Sequence, residues 1–427
     1  MSNFNFKEMS SAKNIAVSLQ HLLAMYAGAV VVPIIIAGAL NYTPDQTAYI
    51  IAADIIICAL ATFLQIYKGK YIGIGLPVVM ATTFTGIGPI VQAGTQYSPA
   101  VAYGSVFAAG VVMLFLAPVF AKLNRLFPTL VTGIVVSLIG LTLIPVSINY
   151  LAGGDEALNY GSMENLIVGG VTFMIILLLY RYTKGFLQSI SILMGMLGGM
   201  AIAGFFGQLD FSSIQTAPWF LVPTPFKITT LEFELGSIVS LVIVGVVTII
   251  EATGNYLALG SMMDQKIEES DLRKGYFSAA IAFILSGIFN TNPQTAFSQN
   301  LGVVQMSGVK KREVILNLVV LMLLAGFIPK IGIIATAVPT PVLGGAMIFL
   351  FGNVLAYGMS VIGSVDLSGN NSLIVGAAIV MGVGVTVNPD AFAQLPTWIS
   401  WMTSSGIVAG TMVAVLLNLF FNGLESE

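Results

Sequence analysis

The sequence predicts an all-α polytopic membrane protein with fourteen transmembrane segments. These form two inverted seven-span repeats, with segments 3 and 10 broken into a short extended stretch plus a half-helix. Three observations lead there. Of 427 residues, 57% are hydrophobic and only 8% are charged, and 45 are glycine, whereas soluble domains carry about a quarter charged residues. The mean hydropathy is +0.94. Apolar runs of membrane-crossing length, about 20 residues, recur along the whole chain. So few charges cannot cover the surface of a soluble globule, which excludes a soluble enzyme and a nucleic-acid binder with a basic face.

The segments follow from breaks at polar, proline and glycine clusters. The first thirteen residues are polar, and the apolar run after them reaches about Leu40 without a small-residue cleavage pattern, so it is expected to be a retained first span. The first seven segments fall near 14–40, 48–66, 71–93, 99–121, 127–152, 164–180 and 187–207. A more polar connection with Trp219, Pro223 and Pro225 follows. The second seven fall near 235–262, 275–290, 291–308, 313–337, 339–362, 371–390 and 396–421.

Basic residues test that count, because Lys and Arg accumulate in cytoplasmic loops. With both termini cytoplasmic, 14 of the 16 Lys and Arg residues fall inside and only Lys227 and Lys330 fall outside. Omitting one span scrambles the pattern. The halves also echo one another. Pro128-Thr-Leu-Val-Thr-Gly133 returns as Pro339-Thr-Pro-Val-Leu-Gly344, Gly140 as Gly352, and Thr83-Phe-Thr-Gly86 more loosely as Ala296-Phe-Ser-Gln299. The offsets are nearly constant, at about half the chain. Seven spans per half is odd, so the second half enters the membrane upside down, the arrangement of alternating-access transporters that bind near the midplane.

Segments 3 and 10 carry Pro, Gly, Thr, Ser and Asn at membrane depth: Tyr71-Ile-Gly-Ile-Gly-Leu-Pro77 with Met80–Pro89, and Asn290–Gly302. Broken backbone survives there only when buried in protein or lining a cavity. The following half-helices are expected to aim their N-termini, with N–H groups and a positive dipole end, at a ligand. Ordinary kinked spans with glycine packing faces are the alternative.

Three ionisable side chains fall well inside spans: His21, Asp54 and Glu251. Each charged form is costly there, which makes each a functional candidate. Glu251 is mid-span, with Asn255 four residues on and on the same helix face. His21, beside Gln20, reads equally as a buried packing residue. Asp54 reads foremost as a buttress for a broken segment. One cysteine (Cys58) and one histidine leave no internal disulfide and little material for a metal site or a membrane-embedded enzyme.

The stretch Gln299-Asn-Leu-Gly-Val-Val-Gln-Met-Ser-Gly308 resembles the signature of the nucleobase–ascorbate (nucleobase–cation symporter 2) family. Gln20-His21, Gly73-Ile-Gly-Leu-Pro77 with Phe84, and Glu251-Ala-Thr-Gly-Asn255 extend the resemblance along the chain. Gln-Asn in place of Glu-Asn makes it most similar to bacterial xanthine and urate permeases.

The resemblance implies a core unit (14–121 and 235–337), a gate unit (127–207 and 339–421) and an extracellular linker (208–234). It further implies a purine base held between segments 3 and 10, proton symport without a cofactor, a cell-membrane location, no nucleic-acid partner and often a homodimer in the bilayer. By position, Glu251 pairs with base N–H groups and couples the proton, and Gln299 reads a second base edge. Phe84 is the aromatic wall, Ser298 contributes backbone, Asn300 binds alongside, and His21, Asn255 and Asp54 support.

Chemistry agrees with those roles. A carboxylate accepts two donors, an amide offers one donor group and one acceptor, and an aromatic ring covers a π-face. Two departures stand out. Ala279 occupies the place of a span-nine acid carried by many purine permeases, and Asn255 stands where some members ionise. A uracil or other nucleobase permease, an inorganic-anion transporter of the same architecture and a passive channel are the competing functions.

Overall fold

The structure, a computed structural model, describes residues 9, 11–123, 128–154, 157–209, 219–297, 299–328, 330, 338–392, 394–395, 401–403 and 405–423. The chain is a mostly helical, multi-pass membrane protein. Among the described residues, seven helices are long and apolar enough to cross a membrane, and three shorter apolar helices accompany them.

In the first half, α1 (Ala12–Ala39) and α2 (Pro44–Ile66) precede a three-residue strand, β1 (Met80–Thr82), and a short helix, α3 (Ile87–Gln96). Then come α4 (Pro99–Leu123), α5 (Thr129–Thr142), α6 (Ile144–Ala152), α7 (Met163–Tyr182), α8 (Phe186–Ser189) and α9 (Ser191–Phe205). The second half runs α10 (Leu235–Met262), α11 (Glu269–Ile288), strand β2 (Gln294–Ala296), α12 (Gln299–Ser307) and α13 (Arg312–Phe327). It ends with α14 (Thr340–Ile362), α15 (Asn371–Val387) and α16 (Gly406–Asn422).

Several expected boundaries shift for local reasons. The segment placed at 127–152 divides into α5 and α6, with Pro145 in the first turn of α6, where the missing N–H is tolerated. Segment nine starts earlier than expected, at Glu269. Its acidic first turn carries Glu269 and Asp271 and is closed by a capping box between Glu268 and Asp271, the charge placement that suits a helix N-terminus. In segment eleven, α13 ends at Phe327, and residues 329 and 331–337 of the expected span lie outside the described set. In segment fourteen, α16 begins at Gly406, and residues 396–400 lie outside the described set.

Helix α2 is predominantly apolar and mostly buried from Ala48 onward, as expected of a helix inside a bundle. Thr43 and Gln46 cap it reciprocally, at 2.9 and 3.3 Å. By contrast α7 buries few residues and leaves Leu166, Ile167, Met174, Leu177 and Leu178 exposed, a face fit for lipid. The main helix packing falls into two sets. Helices α1–α4 pack with α10–α13, and α5–α9 pack with α14–α16.

Between α2 and β1 the chain turns through Gly73, at φ +82°. A Cβ there would overlap the carbonyl of Tyr67, so the turn requires glycine. The two extended stretches, remote in sequence, pair antiparallel in the register Met80↔Ala296, Ala81↔Thr295 and Thr82↔Gln294. Flanking bonds from Thr83 N to Pro293 O and from Phe297 N to Val79 O, both 2.9 Å, extend the ribbon. Thr62 of α2 accepts from Met80 N at 2.9 Å. Such bonds satisfy backbone groups that neither helix nor water reaches at this depth.

Candidate substrate site

Residue types at the ribbon follow strand alternation, in which neighbouring side chains point to opposite faces. The cross-strand pair Thr82 and Gln294 faces α2. There Asp54, fully buried, accepts from Thr82 Oγ1, from Asn292 N at 3.2 Å and from Gln294 Nε2 at 3.1 Å. Gln294 also donates to Asn292 O at 2.7 Å and accepts from Cys58 Sγ at 2.6 Å. One carboxylate on α2 thus ties both strands together. Cys58, which has no disulfide partner, joins that polar cluster.

The pair Ala81 and Thr295 faces the other way. Thr295 Oγ1 donates to Glu251 Oε2 at 3.1 Å. Asn255, one turn along α10, donates from Nδ2 to Ala296 O at 2.8 Å. Glu251 and Asn255 therefore both fasten α10 to β2, as their four-residue spacing allows. Glu251 is half-buried and Gly254, on the same face, is exposed. No heavy atom lies within 4 Å of where a Cβ on Gly254 would stand. The acid consequently borders open space.

His21 and Asn300 meet across α1 and α12. Asn300 Nδ2 donates to His21 Nδ1 at 2.9 Å and to His21 O at 3.2 Å. With Nδ1 accepting, the ring proton resides on Nε2. His21 Nε2 and Asn300 Oδ1 are buried without a protein hydrogen-bond partner among the described residues.

Phe84 follows β1 and precedes α3, whose first turn has no side-chain cap. Its ring meets Phe351 of α14 edge-on, with centroids 5.1 Å apart and planes at 89°. Phe84 also lines a cavity of about 1290 Å³ between the two helix sets, together with Gln92, Asn149, Tyr150, Thr340 and Ser405. Among the described residues that line it, none is an acid, a base or a histidine. Glu251, His21 and Asn300 are not among its described lining residues.

Of the residues singled out in the sequence, Glu251, Asn255 and Asp54 converge on the ribbon, and His21 and Asn300 form a second pair beside it. Ser298 lies outside the described residues. Gln299 opens α12, and its side chain also lies outside the description. Sequence reasoning missed Thr82, Gln294 and Thr295. The available signal was hydroxyl and amide side chains next to Pro293 at membrane depth. It also missed Phe351, which lies in an apolar run without distinguishing neighbours.

Comparison with known proteins places this architecture. Residues 12–391 match the xanthine/uracil permease profile, described as a permease family. The chain is 43% identical over 411 residues to a xanthine permease of Bacillus subtilis, covering 96% of this chain and 94% of that protein. It is 44% identical over 405 residues to the uric acid permease PucK of the same organism, covering 94% of each. It is 35% identical over 422 residues to the uric acid transporter UacT of Escherichia coli, covering 98% of this chain and 88% of that one.

Among solved structures, the transmembrane domain of the cyanobacterial bicarbonate transporter BicA superposes with a TM-score of 0.61 at 17% identity. That match covers 88% of this chain and 96% of that one. SLC26A9 superposes at 0.60 and 12%, covering 95% of this chain and 65% of that one. The structural likenesses establish the fold, and the sequence likenesses establish membership: this chain belongs to the xanthine/uracil permease family, the nucleobase–cation symporter 2 family, whose members are transporters and not enzymes.

Proposed function

We propose that the protein imports a purine base, xanthine or urate, by proton symport with alternating access. The observation that carries this reading is Glu251. It is a half-buried acid held from the ribbon that joins the two broken segments, and it borders open space. The names of the relatives, xanthine and uric acid permeases, support the choice of base. In this reading Glu251 accepts base N–H groups and carries the proton. Gln299 reads a second edge, Phe84 covers the ring, Ser298 adds backbone contacts and Asn300 lines the site. His21, Asn255 and Asp54 hold these residues in place.

The same reading gives fourteen spans in two inverted repeats, both termini cytoplasmic, in the cell membrane and as a homodimer. The seven long apolar helices, the three shorter ones, the two strand–helix segments and α11 and α13 support a count of fourteen crossings. Antiparallel pairing of β1 with β2 supports the inversion. The two packing sets support a core unit of 14–121 with 235–337 and a gate unit of 127–207 with 339–421, joined by an extracellular linker at 208–234.

Uptake of radiolabelled xanthine by cells lacking their own purine permeases tests the proposal, with unlabelled xanthine, urate, hypoxanthine and uracil as competitors. Inhibition by xanthine or urate well ahead of uracil is the expected result. Uracil as the strongest competitor would overturn it.

A further inference from the structure

Threonine hydroxyls on the helices of this protein are mostly satisfied locally. Thr142, Thr172, Thr248 and Thr253 each donate to the carbonyl four residues back, at 2.7–2.8 Å. Thr295 differs. It sits in an extended strand, where no such carbonyl is in reach, is 4% exposed, and spends its proton on a carboxylate of another element.

The surroundings restrict what that bond does. Asn255 fixes α10 against β2 through Ala296 O, and Asp54 fixes the opposite face of the ribbon through Thr82 and Gln294. Ala81, the cross-strand partner of Thr295, contributes only a methyl group on the side facing Glu251. The acid thus receives one hydroxyl from an anchored ribbon, and that hydroxyl takes Oε2. A carboxylate with both oxygens open can rotate and accept two donors side by side. With one oxygen held, it presents the other in one orientation.

We propose that Thr295 is a positioning residue for substrate recognition: its hydroxyl holds Oε2 of Glu251, so that the carboxylate presents Oε1 to an N–H donor of the carried base in one orientation. This rests on the reading of Glu251 as the base-binding acid. The residue acts through Glu251 and sets both affinity and the ranking of bases that differ in their N–H pattern.

The test compares Thr295→Val, Thr295→Ser and Glu251→Gln in the full chain. Xanthine and urate affinities are read from ligand-dependent thermal stabilisation of the purified transporter, and KM and maximal rate from uptake. Valine keeps the β-branched shape that suits a strand, and serine keeps the hydroxyl. Thr295→Val is expected to weaken xanthine binding about tenfold and to raise KM more than it lowers the maximal rate. Thr295→Ser is expected to stay within about threefold of the parent. Val binding like the parent, or Ser as weak as Val, overturns the proposal. If Glu251→Gln loses binding while Thr295→Val keeps it, the Thr295 role alone fails. If Glu251→Gln binds like the parent, the reading of Glu251 fails with it.

Discussion

Replacing Glu251 by glutamine is the sharpest perturbation of the proposed site, because it changes charge and donor pattern while preserving shape. In the structure Oε2 accepts from Thr295 at 3.1 Å. The amide oxygen of glutamine takes over that bond, which turns the amide NH₂ toward the position of the base N–H. The base N–H then loses its hydrogen bond to a charged acceptor, worth about 1.5–3 kcal/mol, and faces a donor instead. That loss corresponds to roughly 10- to 140-fold in affinity at about 1.4 kcal/mol per tenfold. The Asn255 bond to Ala296 O is untouched, so insertion and yield are expected to stay near those of the parent. The assay is initial-rate xanthine uptake normalised to immunoblotted membrane protein. Uptake within about threefold of the parent at low substrate would refute the assignment of Glu251 to base binding.

Three further outcomes are expected. Gln299→Glu exchanges an amide donor for an acceptor, and inhibition constants for xanthine or urate should rise about ten- to a hundredfold on the scale of a hydrogen bond to a charged group; an unchanged competitor panel would place Gln299 outside the site. Asp54→Ala strands the donors of Thr82, Asn292 and Gln294 in a fully buried position. At about 1–3 kcal/mol for each unmade bond this should remove most folded protein, and a monodisperse size-exclusion peak with the parent's melting temperature would contradict it. A protonophore should abolish accumulation while sparing exchange of labelled for unlabelled base. For a neutral base carried with one proton, a potential of 100 mV contributes about 2.3 kcal/mol and one pH unit about 1.4 kcal/mol, enough for accumulation of about 500-fold. A monoanion carried with one proton would leave only the pH contribution. Accumulation driven by a sodium gradient alone would remove protons from the mechanism.

What was legible in the sequence divides along a physical line. Composition and long apolar runs reveal a membrane protein, because a bilayer imposes a length and a polarity that local sequence must meet by itself. Breaks at segments 3 and 10 were legible for the same reason: Pro77, Pro89 and Pro293 and the polar residues around them stand out at membrane depth. Even the four-residue spacing of Glu251 and Asn255 fixed their common face. The pairing of residues 80–82 with 294–296 was beyond local reading, since two three-residue strands more than two hundred positions apart carry too little pattern to specify a register.

Everything that depends on the register was hidden with it. Once Thr82 stands opposite Gln294 and Ala81 opposite Thr295, strand alternation sends Gln294 to Asp54 and Thr295 to Glu251, although the two residues are adjacent in sequence. A one-residue slip in the pairing would bring Thr295 opposite Thr82 or Met80 and change the polar set on both faces. Asp54 therefore does more than fill a polar gap in α2. By accepting from both strands it favours the register in which Thr295 reaches Glu251, linking the structural acid to the proposed substrate-binding acid through the ribbon between them.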